Sequence, residues 1–207
     1  MARRLQQRAE RTRVVVLRAA AEVFAADGFR GARTADIIAH AGVTKGAVYF
    51  HFSSKEELAQ AVIAAHREEG ARLAEAVAAQ GATPLRTLVN LSYAYARLIK
   101  ENPIHLAGVR LVAEGTFGSP TVEAFTDWDL VLVKLLNEAK DRGEIRDDLD
   151  AEACARFING AFYGTQILSF IYSRRDDLVQ RLDTMWQVLL NGLLPEGRSV
   201  ILMSQAG

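Results

Sequence analysis

Within the nine residues Thr44-Lys45-Gly46-Ala47-Val48-Tyr49-Phe50-His51-Phe52 the chain places a hydroxyl, an ammonium, a position without a side chain, a phenol and an imidazole. Their chemistry is hydrogen bonding and charge rather than bond making. If the run is helical, its N-terminus favours phosphate, and the Thr44 hydroxyl and amide lie beside that end. Lys45 can reach guanine O6 or N7 in a major groove. Gly46 lets the backbone approach the groove closely. Tyr49 and His51 present hydrogen-bonding tips on aromatic bodies, suited to phosphate or to a thymine methyl. Phe50 between them, Thr34 upstream and Lys55 downstream complete the expected DNA-facing set, with Lys55 expected on phosphate.

Elements of the right kind flank this run. Val16, Ala20, Val23 and Phe24 share one face of a first helix that Gly28 closes. Thr34 is expected to cap a short second helix carrying Ile37, Ile38 and Ala41, which Gly42 ends. Thr44 is expected to cap a third, running about from Lys45 to Phe50. Two short helices joined by a glycine-containing turn make a helix-turn-helix over residues 34–52, with Ala39 small at the helix crossing and Val43 and Val48 toward the core. The recognition helix of such a unit meets base edges with its opening residues.

The charge distribution agrees. Net charge is zero, yet residues 1–55 carry ten lysines and arginines against Glu10, Glu22, Asp27 and Asp36, a balance of +6 that leaves −6 for the rest. A basic end on an acidic body is the footprint of a nucleic-acid-binding module.

Beyond residue 54 the pattern stays helical, without sustained two-residue alternation, so the fold class is all-α: a three-helix module over 1–54 and a larger helical domain over 55–207. Ser54-Lys-Glu-Glu57 has capping-box spacing and opens a fourth helix reaching about Gln80, before Gly81. Thr83-Pro84 starts a fifth. Pro103 and Pro120 punctuate the next two segments, and Gly143 ends the one holding Trp128. Asp150 caps a helix to about Ser173, and Asp176 or Asp177 opens a last one ending at Gly192. There Leu178, Leu182, Met185, Trp186, Leu189 and Leu193 form an apolar stripe. Periodicity leaves two readings open: packing within one subunit, or pairing of the last two helices with their copies in a dimer.

Catalysis finds no support. The chain has no phosphate-cradling glycine loop, no Gly-x-Ser-x-Gly elbow and no His-Glu-x-x-His. His40, His51, His66 and His105 are scattered and Cys154 stands alone, so neither a metal site nor a cofactor is expected. With one cysteine, no secretory signal and no apolar run of ~20 residues, the expected place of work is the cytoplasm, away from membranes.

From about Arg11 to Ile63 the chain resembles the DNA-binding domain of the TetR family, in Phe24, Gly28, Thr34, Ile37, Ala41-Gly42-Val43, Lys45-Gly46, Tyr49, His51-Phe52 and Lys55-Glu56-Glu57-Leu58. The resemblance implies about nine helices, a homodimer through the last two, a pocket for a small-molecule inducer among the middle ones, and double-stranded operator DNA as partner. Within that family, residues 39–52 are similar to actinobacterial receptors for γ-butyrolactones and related furan or butenolide signals. Phe125-Thr126-Asp127-Trp128 and Gly164-Thr165 match motifs of those receptors, although the likeness is thinner beyond residue 65. It implies a pocket for a polar lactone head and an apolar arm. Trp128 supplies a flat wall and an indole donor, and Thr165 a hydroxyl on the facing helix. Tyr95, Phe117, Phe162 and Gln166 line the remainder, with His66 facing it from the fourth helix. The same fold also suits a sensor of drugs or antibiotic intermediates, or a pseudo-receptor, and sequence leaves that alternative open.

Overall fold

The computed structural model describes the backbone of residues 2–115 and 122–198, and the side chains of 6–115 and 128–198. Nine helices and no strand occur among them: α1 (Ala2–Gly31), α2 (Thr34–Ala41), α3 (Lys45–His51), α4 (Lys55–Ala78), α5 (Pro84–Glu101), α6 (Pro103–Ala113), α7 (Val122–Asp141), α8 (Ala151–Ser173) and α9 (Leu178–Leu193). The all-α expectation is met. The chain forms two compact units, one of residues 1–71 and 99–122 and one of 72–98 and 123–207.

In the first unit Val16, Ala20, Val23 and Phe24 of α1 are buried with Ile37, Val48, Phe52, Leu58, Val62 and, from α6, Ala107 and Leu111. Burying one such leucine or phenylalanine stabilises by ~1.5–3 kcal/mol. Gly42 takes the left-handed conformation (φ 61°) that ends α2. Thr44 caps α3 as expected, its hydroxyl accepting from Ala47 N at 3.2 Å. Two expectations shift. The N-cap of α2 is Arg33, whose carbonyl takes the first intrahelical bonds, so Thr34 is already helical. Ala39 is exposed and lies at no helix crossing.

The capping box of α4 is also modified. Ser54 Oγ accepts from Glu57 N at 3.1 Å, but the Glu57 carboxylate reaches back to the amide and hydroxyl of Ser53, both at 2.7 Å.

Gly28 does more than stop α1. Its backbone (φ 70°, ψ 178°) kinks the helix one turn before the end. A Cβ there would lie 2.2 Å from Glu114 Oε1. The α6 pair Arg110 and Glu114 is held at 2.9 Å and supplies what the kinked end lacks. Arg110 donates to the carbonyls of Ala25 (2.9 Å) and Ala26 (2.8 Å), and Glu114 accepts from Phe29 N (2.9 Å).

In the second unit, α9 turns Leu178, Leu182, Trp186, Leu190 and Leu193 into the core. Of the stripe foreseen on the last helix, Leu178, Leu182, Trp186 and Leu193 are therefore internal to one subunit, the first of the two readings, while Met185 and Leu189 are half-buried. Asp150 caps α8 through Glu152 N and Ala153 N. Asp177 opens α9 without a side-chain cap, because its carboxylate accepts from Ser169, Ser173 and Arg181 instead.

Candidate functional site: a helix-turn-helix surface and an apolar cavity

On the first unit, α3 is short and held from behind by Val48, so its outer face is free of packing. Lys45, Gly46 and Tyr49 are exposed, and Phe50 is 78% exposed, which is unusual for so large an apolar side chain. The Lys45 ammonium sits 5.8 Å from the centre of the Tyr49 ring. His51, half-buried, meets the Phe50 ring edge-on with centroids 5.0 Å apart. A Cβ added at Gly46 would meet open space, so no neighbour in the chain requires glycine there. Thr44, Lys45, Gly46, Tyr49, Phe50 and His51 thus come together at one end of the unit, where α3 can present them to a partner.

Lys55 does not join them. Its ammonium donates to the carbonyls of Phe29 (2.9 Å) and Ala32 (3.1 Å) and lies 4.3 Å from the Phe29 ring centre. It ties α4 to the end of α1, and the expected phosphate contact is corrected: the last carbonyls of α1 attract the cation inward.

In the second unit a cavity of about 310 Å³, part of it open to solvent, lies among α5, α7, α8 and α9. The space enclosed within it is only about 20 Å³, room for about one water, so a ligand of drug size has to part these walls to enter. Its wall includes Trp128 from α7, Phe162 from α8, and Leu88 and Leu91 from α5. Trp128 packs on Tyr95 with ring centroids 4.9 Å apart, and Tyr95 meets Phe162 edge-on at 5.9 Å. Three of the four aromatics foreseen from sequence therefore form one cluster. Tyr95 stands behind the wall, and burial pushes its phenol above the usual tyrosine range.

Eight residues of the wall were not foreseen, the polar or aromatic ones and the thioether among them being Ser92, Asn159, Trp186 and Met185. Trp186, fully buried, donates from Nε1 to Ser92 Oγ at 2.7 Å, and Ser92 in turn donates to Val89 O at 2.7 Å. Both are fixed scaffolding. Asn159 donates to Asp129 Oδ1 at 2.8 Å, which orients its amide. Only Trp186 and Met185 carried a sequence signal, as members of the α9 stripe. Gln166 is buried on α8, one turn beyond Phe162, and its Oε1 has no hydrogen-bond partner among the described residues. Thr165 is half-buried and not part of the cavity wall. Phe117 and the side chains of residues 125–127 lie outside the described residues.

His66 belongs to the first unit, not to this wall. Its Nδ1 lies 3.0 Å from Nδ1 of His105 on α6, and its ring fills the place a Cβ would take at Gly108, 2.3 Å from His66 Cγ. The structure directs it to α6, which corrects the expected pocket role.

No helix among the described residues is long and apolar enough to cross a membrane. Residues 16–62 match the family description "Bacterial regulatory proteins, tetR family", and residues 82–195 match "Tetracyclin repressor-like, C-terminal domain". The chain is 35% identical to the A-factor receptor protein of Streptomyces griseus over 97% of its own length and 73% of that protein's. It superposes on a crystal structure described as a γ-butyrolactone receptor (ArpA-like protein) with a TM-score of 0.81 and 33% identity, covering 91% of each chain. It also superposes on CprB from Streptomyces coelicolor in complex with its operator sequence, with a TM-score of 0.79 and 34% identity over 92% of each.

Proposed function

Taking as premise that the chain belongs to the TetR family of bacterial regulatory proteins, as a DNA-binding repressor that answers to a ligand and not as an enzyme, we propose that its inducer is a γ-butyrolactone or a close relative. The cavity walled by Trp128 carries this reading. A lactone carrying an alkyl arm has a small polar head and a long apolar remainder, and the cavity offers an indole face and leucines with a few fixed polar groups. The relatives described as A-factor and γ-butyrolactone receptors support the same chemistry.

Operator DNA is gripped by Thr34, Thr44, Lys45, Gly46, Tyr49, Phe50 and His51 from two copies of the chain. The copies pair through the outer faces of α8 and α9, where Ile171, Tyr172 and Val188 are 64%, 71% and 68% exposed. Those faces, not the internal α9 stripe, make the four-helix interface. Thr165 and Gln166, near the cavity on α8, supply further polar contacts to the lactone head. The protein works in the cytoplasm, where DNA and a diffusible inducer meet.

A ligand releases DNA only by binding the DNA-incompetent conformer more tightly. Occupation of the cavity shifts α4 and with it the separation of the two recognition helices, which must match half-sites ~34 Å apart or a multiple of it. The test is calorimetric titration of the purified protein with a synthetic γ-butyrolactone carrying a straight alkyl arm. Alongside it runs a gel-shift assay on duplexes that the protein selects from a randomised library. Binding with release of DNA is expected; selection of duplexes without any response to the lactone would overturn the ligand class and leave the repressor standing.

A further inference from the structure

The link from α8 to α9 and the first turn of α9 hold three arginines, Arg174, Arg175 and Arg181, and two aspartates, Asp176 and Asp177. Asp177 is committed, since its carboxylate accepts from Ser169 and Ser173 at 2.6 Å and from Arg181 at 2.7 Å. Asp176 is exposed. No carboxylate among the described residues pairs with Arg175, although only 9% of that residue is exposed. Its Nε is sealed from solvent and has no hydrogen-bond partner. Burial pushes the guanidinium pKa down, and no neighbouring charge pushes it back up. A buried charge without a partner costs stability. Arg174 and Arg175 are also the only non-glycine residues with positive φ among those described, 53° and 75°, a conformation that disfavours any residue with a Cβ. Strain and unpaired charge thus fall on the same residue.

The chain accounts for only part of this. The Phe170 ring centre lies 4.4 Å from the Arg175 guanidinium and 4.9 Å from that of Arg174, so the two like charges stand within ~9 Å of each other. The ring face and the C-terminus of α8 both favour a cation here. Neither completes its hydrogen bonding, because the last carbonyls of α8, those of Ser169 and Phe170, are already taken by the amides of Arg175 and Arg174, each at 3.1 Å. A guanidinium presents parallel N–H groups that match two oxygens of a carboxylate or phosphate. Of the Arg175 nitrogens only Nε is both sealed and unpartnered, which leaves the Nη edge for such a group to approach.

We propose that the α8–α9 turn is an anion site in which Arg175 and Arg174 hold one oxyanion group, a carboxylate or a phosphate monoester, of a small diffusible molecule. None of these residues belongs to the wall of the cavity assigned to the lactone, so the site is a second one. Its occupation stabilises the second unit by mass action and ties that unit's stability to the concentration of the anion.

The test uses the full chain and its R174M and R175M variants in melts followed by tryptophan fluorescence. Both tryptophans of the chain, Trp128 and Trp186, belong to the second unit, so the signal reports that unit. Methionine keeps an apolar contact with Phe170 and drops the charge. In chloride R175M is expected to melt no earlier than the parent, because it removes an unpaired buried charge. Millimolar inorganic phosphate, methyl phosphate or acetate, each compared with chloride at equal ionic strength, should raise the parental midpoint to a plateau. R174M should need more anion to reach it, and R175M should show no shift. Saturation at the lowest concentration by the phosphates or by acetate identifies the group. Phosphate held by the DNA-facing helix is common to parent and variants and drops out of the comparison. Equal shifts in parent and R175M, or none in either, would overturn the proposal. So would an R175M that melts well before the parent in chloride, since the guanidinium would then be satisfied within the chain. Parent that sediments with phosphatidylglycerol vesicles where R175M does not, without any response to the free anions, would overturn it in favour of a lipid surface.

Discussion

His66 and His105 face each other across α4 and α6, Nδ1 to Nδ1 at 3.0 Å, and the far nitrogen of His105 approaches Glu69 Oε2 at 3.2 Å, a close approach rather than an aligned hydrogen bond. Glu69 also accepts from Asn102 Nδ2 at 2.7 Å. The neutral arrangement that turns an N–H of His105 toward Glu69 leaves its Nδ1 as acceptor and makes His66 Nδ1 the donor.

Burial, reinforced by Arg67, lowers His66 to about 4, and burial, reinforced by His66, lowers His105 to about 3. Desolvation of two adjoining imidazoles outweighs the nearby Glu69 carboxylate. Because both are depressed in the folded chain, the unfolded chain binds more protons between about pH 6.5 and the folded values. The contribution of the pair is whole above about pH 6.5 and is lost as pH falls toward 4. Thermal melts between pH 8 and 5 should show the parent losing stability more steeply than H66F/H105L; parallel curves would show the pair to be protonated in the folded state.

Gly28 and Gly42 both have left-handed backbone, but only Gly28 is crowded. Replacing Gly42 by alanine should cost ~1–2 kcal/mol, the strain of that conformation alone. Gly28→Ala should cost more, since its Cβ must also displace Glu114 from the end of α1. Denaturant unfolding of the two variants would check the order, and a Gly28→Ala protein no less stable than Gly42→Ala would contradict the clamp.

Phe50 is exposed and contributes little to the core, so Phe50→Ala should leave melting unchanged while weakening operator binding. Lys45→Ala should weaken binding by ~1–3 kcal/mol and relax base preference if it reads guanine. Gel shifts on matched and single-mismatch duplexes separate these outcomes; parental binding by both variants would detach α3 from DNA.

The exposed α8 and α9 faces and the buried α9 stripe respond differently to charge. I171E/V188K should give folded monomers with reduced operator affinity. Leu182→Glu, placing a charge at a fully buried position, should cost several kcal/mol and unfold the second unit instead. Sedimentation and circular dichroism distinguish the two, and a folded dimer of I171E/V188K would move the interface elsewhere.

Trp128 is half-buried, so its removal opens the cavity without emptying the core. Trp128→Ala should resist release by lactone while holding operator within about tenfold of parent, ~1.4 kcal/mol. Full release at parental ligand concentrations would take Trp128 out of the site.

The sequence by itself determined what depends on neighbours within about one helical turn. Gly42, the Thr44 cap, the Asp150 cap and the spacing of Val16, Ala20 and Phe24 each act through bonds or faces three or four residues apart, so composition and register suffice to place α1, α2, α3 and α8. Trp128 and Phe162 were expected at the wall through the resemblance to butyrolactone receptors rather than through local rules, and not as partners. What only the tertiary structure decided are matters of covering and pairing. Periodicity states that one side of α9 is apolar but not whether Ser92 and α5 or a second chain covers it, and burial of Trp186 settled that. Lys55 and His66 are polar residues on amphipathic helices, and their direction depends on unsatisfied groups at the kinked end of α1 and on α6. Asn159 enters the cavity wall braced by Asp129, thirty residues away in sequence. That pairing exists only because folding brings α7 against α8, and a half-buried amide N–H is stable there only with a hydrogen-bond acceptor.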